Sequence, residues 1–148
     1  MFKALRKEGS ALIYVKNPTE EMVLEAVKSN SYVLISIENQ TEELCLIAVR
    51  KEPWIIQYVK DQTLEICLEA VRRDGCCLSK IREQTEEICL EAVRQNVEAL
   101  MFVENQTEEI CIAALENIES RKRMISRLTL IEDLKMREYI KGLLTKDL

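Results

Sequence analysis

Asn39-Gln40-Thr41-Glu42-Glu43-Leu44-Cys45-Leu46-Ile47-Ala48-Val49-Arg50 decides how this chain is read, because the chain repeats it. It returns from Asp61-Gln62-Thr63 to Arg72, from Glu83-Gln84-Thr85 to Arg94, and from Asn105-Gln106-Thr107 to Glu116. A more diverged copy runs from Asn17-Pro18-Thr19 to Lys28. The threonines Thr19, Thr41, Thr63, Thr85 and Thr107 fall 22 residues apart each time, with no insertion. A fixed period in this range is the mark of a repeat architecture in which each unit covers the apolar side of the next.

Each unit holds two helical segments. The first, helix A, covers Ser10–Val15, Tyr32–Ile37, Trp54–Val59, Cys76–Ile81 and Glu98–Val103. Leu12, Leu34, Ile56, Leu78 and Leu100 form one column of it, and Val15, Ile37, Val59, Ile81 and Val103 a second three residues on. Positions three apart share a helix face, so both columns should face the core. Pro53 after Glu52 is a helix-start signal. Helix B follows the threonine, which is the preferred N-cap because all five units have it; the alternative is a cap at Asn17, Asn39, Asp61 and Asn105 with Pro18 at the first helical position. Acidic pairs such as Glu42-Glu43 and Glu86-Glu87 suit its positive end, and Arg50-Lys51, Arg72-Arg73 and Arg94 its negative end. On a helical wheel Ile88, Ala92, Cys89, Val93 and Leu90 fill an apolar arc of about 200°, wider than a surface helix needs, so helix B should pack on more than one side. The alanine column Ala26, Ala48, Ala70, Ala92 and Ala114 would allow close approach.

Scarce glycine and proline (3 and 2 in 148 residues) argue for helices on short turns and against an all-β fold. The pattern predicts an all-α fold, an α-solenoid of short two-helix repeats with a divergent C-terminal helical cap. Residues 1–9 form a half repeat, five 22-residue units reach residue 118, and residues 119–148 form the cap. The opening half unit is expected either as part of a longer array or as a truncated helix capping the N-terminal end. No apolar run approaches the length of a membrane span and no apolar leader follows Met1, so no membrane contact and a reducing cytoplasm are expected.

Charge is uneven. Residues 1–118 hold 21 acidic against 13 basic side chains, and residues 119–148 hold 5 against 8. An acidic body disfavours nucleic acid as main partner. The candidate basic patch Arg121, Lys122, Arg123 and Arg127 keeps nucleic-acid binding as a remote alternative.

Among the cysteines, Cys45, Cys67, Cys89 and Cys111 recur at the repeat spacing. Stacked units place equivalent positions about 10 Å apart, too far for a disulfide or for convergence on one zinc ion. They read as core thiols, and no metal or cofactor is expected. Cys76 and Cys77 are adjacent; packing is favoured for both over a redox role, with Cys77 expected to be partly exposed. The chain has no His, which removes the commonest general base and every Ser/His or Cys/His arrangement. The glutamates recur by position, as a solvated surface does and an active site does not. No catalytic residue is expected, and the protein reads as not an enzyme. Asn39-Gln40-Thr41 and Asn105-Gln106-Thr107 match the N-glycosylation pattern but read as turn and cap chemistry.

Binding in repeat arrays falls on residues that vary between similar units. Two helix A columns vary: Ser10, Tyr32, Trp54, Cys76, Glu98 and Tyr14, Ser36, Tyr58, Lys80, Phe102. Tyr14, Tyr32, Trp54, Tyr58, Lys80 and Phe102 are therefore the candidate partner-binding residues, since Tyr and Trp are favoured interface anchors. The expected function is a protein–protein interaction scaffold. A self-associating homo-oligomer is the alternative, suggested by the charge asymmetry.

The unit, most fully Glu83 to Asn96, resembles a family of 22-residue two-helix repeats, a domain of unknown function found in giant DNA viruses of amoebae and in some bacteria. The resemblance covers residues 1 to about 118. It implies a helical interaction module of viral origin, acting in the host cytoplasm, and carries over no catalytic or binding residue.

Overall fold

The computed structural model describes residues 2–114 and 134–146, which are helical throughout their regular elements. Seven α-helices occur among them: α1 (Phe2–Lys7), α2 (Glu20–Ser29), α3 (Glu42–Lys51), α4 (Leu64–Arg73), α5 (Glu86–Gln95), α6 (Glu108–Ala113) and α7 (Leu134–Lys146). The chain divides into two compact units, Met1–Ala70 and Val71–Leu148. In the first, α1 packs on α2 and α2 on α3; in the second, α5 packs on α6 and α6 on α7.

The segments expected as helix A are 3-10 helices: Gly9–Tyr14, Ser31–Ser36, Pro53–Tyr58, Gly75–Lys80 and Val97–Phe102. With three residues per turn, positions three apart stand directly above one another. Leu34, Ile56, Leu78 and Leu100 are fully buried, and Val59, Ile81 and Val103 nearly so. One residue before the first column lies another buried position, Val33, Ile55, Cys77 and Ala99. The expectation that Cys77 is partly exposed is thereby corrected: it is fully buried.

Side chains start both kinds of segment. Asn30, Asp74 and Asn96 accept from the N–H groups of Tyr32, Cys76 and Glu98, opening three of the 3-10 turns. Pro53 opens another, where Glu52 makes no such bond. Thr19, Thr41, Thr63, Thr85 and Thr107 accept from the N–H three residues on, at 3.3–3.5 Å. These are the N-caps read from the repeat, each contributing about 1 kcal/mol.

The centre of the apolar arc of the α-helices is buried as expected, whereas its edge is not: Leu90 is half-buried and its equivalent Ile112 exposed. Ile88, Cys89, Ala92 and Val93 are almost wholly covered, and the alanine column is at most 1% exposed. Gly9 and Gly75 lie against the backbones of α2 and α5, where an added Cβ would collide with the Ala26 and Ala92 carbonyl oxygens.

Candidate interaction surface

Six residues of 3-10 helix are more than such helices usually sustain. What holds the last four of the segments is the glutamine that precedes the next capping threonine; after the first segment, Pro18 stands in its place. Gln40 Nε2 donates to the Leu34 carbonyl at the end of its own 3-10 segment (2.9 Å). It also donates to the Tyr58 carbonyl of the next segment (3.2 Å), while Gln40 Oε1 accepts from the Lys60 N–H (2.9 Å). In the second compact unit Gln84 repeats the pattern with the Leu78 and Phe102 carbonyls and the Glu104 N–H. Gln62 and Gln106 bond the Ile56 and Leu100 carbonyls in the same way. One side-chain amide thus closes its own turn and ties it to its neighbour. The signal lay in the sequence: the glutamine recurs in four units at a position where it has no capping role.

A second set of bonds runs along the α-helices. Arg6 meets Glu25 (2.6 Å), Arg50 meets Glu69 (3.5 Å) and Arg72 meets Glu91 (2.9 Å), each cation reaching the following helix. Arg6, then Lys28, holds the Glu25 carboxyl below the usual carboxylate range. Lys51 Nζ reaches the Lys28 and Ser29 carbonyls, and Lys60 Nζ the Ile37 and Glu38 carbonyls. Many of the charges are therefore fastenings between repeats as well as solvated groups.

The face left over belongs to the 3-10 segments. Tyr14 is 86% exposed, Tyr32 53% and Tyr58 42%. Trp54 is half-buried. All four lie in the first compact unit, where the three 3-10 segments pack side by side. Ile13 (64% exposed) and Ile35 (48%) join them and were missed. They stand directly above Ser10 and Tyr32 in a 3-10 turn, and their column also varies: Ile13, Ile35, Gln57, Ser79, Met101. Lys80 is exposed and Phe102 half-buried, both in the second compact unit. Arg121, Lys122, Arg123 and Arg127 lie outside the described residues.

The cysteines are thiols suited to packing. Burial pushes Cys77 up to about 12, with Asp74 adding to it, and Cys45 and Cys111 up to about 11. Cys76 and Cys89 are raised for the same cause. Thiols so placed hold almost no thiolate at neutral pH, the form that attacks or ligates. Among the described residues no group of Cys, Asp and Glu is arranged to hold a metal ion, and no helix is long and apolar enough to cross a membrane.

Two grooves open between successive α-helices on the threonine side. One, of about 250 Å³, lies between α5 and α6 beside Gln84. The other, of about 600 Å³, lies between α2 and α3 beside Pro18.

A model of the family described as Domain of unknown function (DUF4116) matches residues 41–84 and again residues 63–107. Its two matches overlap across the middle of the chain, as a tandem repeat requires. No curated protein and no solved structure matches the chain significantly.

Proposed function

We propose that the protein is a non-enzymatic scaffold that binds another protein through the exposed face of its first three 3-10 segments. The observation that carries this reading is the apolar stripe Ile13, Tyr14, Tyr32, Ile35 and Tyr58, exposed on three 3-10 segments that pack side by side. Monomeric proteins seldom leave contiguous apolar surface uncovered without a use for it, and tyrosine is a favoured anchor. The second and third segments are held by the glutamine bonds, so their part of the stripe would meet a partner with little ordering cost. The likeness of the repeat to giant-virus repeats supports a viral origin and action in the host cytoplasm.

The test compares the wild-type chain with an Ile13→Ser, Tyr32→Ser, Ile35→Ser triple variant as bait in extracts of the native host, with capture read by mass spectrometry. The variant should melt like the wild type, because the three side chains are exposed, and should lose its specific partners. Undiminished capture by a folded variant overturns the proposal. Self-association is the second reading, favoured by the acidic body and basic C-terminal stretch. A monomer mass independent of concentration at low salt removes it.

A further inference from the structure

The two grooves occupy the same place in the repeat, three units apart. Pro18, Val23, Asn39 and Leu44 stand in one where Gln84, Cys89, Asn105 and Ile110 stand in the other. At Gln84 the amide spans the Phe102 carbonyl and the Glu104 N–H, and the groove beside it is the smaller of the two, about 250 Å³. Pro18 has no side-chain amide to offer. The equivalent backbone groups, the Ser36 carbonyl and the Glu38 N–H, make no bond among the described residues. The link also takes a different course here, with Asn17 in the left-handed region at φ 54°. The groove beside Pro18 and Ile37 measures about 600 Å³, within the size range of ligand sites.

We infer that this groove binds an extended peptide segment through a glutamine or asparagine side chain set next to a basic residue. The carboxamide supplies what Gln40 and Gln84 supply elsewhere: an N–H for the Ser36 carbonyl and an oxygen for the Glu38 N–H. A neutral amide does both from two separate atoms, as Gln40 and Gln84 do, whereas a carboxylate has no proton to donate. Val23, Leu24 and Ile37 give the groove an apolar wall for a neighbouring aliphatic side chain. Glu20, Glu21 and Glu43 stand at its rim, exposed and without ion-pair partners among the described residues. They select a lysine or arginine and repel acidic segments. This surface is separate from the aromatic stripe, so either can fail without the other.

The probe is a tetrapeptide of Lys, Gln, Leu and Arg, capped as acetyl and N-methylamide so that glutamine carries its sole primary amide. It is titrated to millimolar concentration into the ¹⁵N-labelled chain. The Ile37, Glu38 and Asn39 amide signals should move in a saturable way. The same peptide with Glu for Gln should bind about tenfold more weakly, the worth of one good hydrogen bond. Pro18→Gln, which restores the repeat's own residue, should fill the groove, protect the Glu38 amide from exchange and weaken peptide binding by a similar factor. Equal binding of the Gln and Glu peptides overturns the inference, as does undiminished binding by Pro18→Gln or the absence of shifts at millimolar peptide.

Discussion

Replacing Gln40 by alanine removes three hydrogen bonds at one stroke. Two are donated to the Leu34 and Tyr58 carbonyls at 2.9 and 3.2 Å, and one is accepted from the Lys60 N–H at 2.9 Å. Each such bond contributes about 0.5–1.5 kcal/mol net. The Leu34 carbonyl keeps the Ile37 N–H, and water reaches the half-buried site, so the low end applies and the loss is about 2 kcal/mol. With a urea slope of about 1–3 kcal/mol per molar, the midpoint should fall by about 1 M. Gln40→Glu should cost more, because it keeps the size but sets a carboxylate against two carbonyl oxygens. Amide exchange gives the residue-level check. In the wild type the Lys60 N–H should exchange slowly and the Glu38 N–H, its unbonded counterpart, quickly; Gln40→Ala should bring Lys60 to the Glu38 rate. An unchanged midpoint, or a Lys60 amide already as fast as Glu38, would refute the view that the glutamines join the repeats.

Alkaline pH should destabilise the protein through its buried thiols. Their pKa values are raised in the folded state, to about 12 for Cys77 and about 11 for Cys45 and Cys111. Their contribution is therefore complete below the ordinary thiol value of 9.0 and is lost as pH rises from there towards 12. Cys77→Ala should flatten the fall in urea midpoint with pH, and an unchanged fall would show that other groups cause it. Ser31 is 1% exposed and its hydroxyl has no hydrogen-bond partner among the described residues. Ser31→Ala should therefore be neutral or raise stability by up to about 1 kcal/mol, read by thermal melting; a clear loss would mean the hydroxyl is bonded.

The five threonines and the alanine column revealed the period, the cap and the packed face of the α-helices, because each does the same physical task in every unit. The 3-10 character of the other segment was not legible. Three residues advance about 300° in an α-helix and about 360° in a 3-10 helix, and over six residues both put Leu34 and Ile37 on one side. Val33 and Cys77 are buried as well, on a side of the segment that the two columns did not mark. The glutamines were read with their neighbours as turn chemistry, since a bond between side chain and a backbone 18–20 residues away leaves no local pattern. The aromatic candidates were found by their variation between units. Ile13 and Ile35 were missed because aliphatic residues at helical spacing are ordinarily core.

The fastenings between repeats carry a rule about length. Arg6 to Glu25, Gln40 to Tyr58 and Lys60, and Gln84 to Glu104 all join residues 18–20 apart. Every such clasp assumes that its mate arrives on schedule. Losing or gaining one whole module leaves each amide and guanidinium a matching group further along, whereas dropping a single residue puts every clasp across that joint out of step. Slippage during replication should therefore be inherited only in complete modules, and homologues of this gene should differ by them.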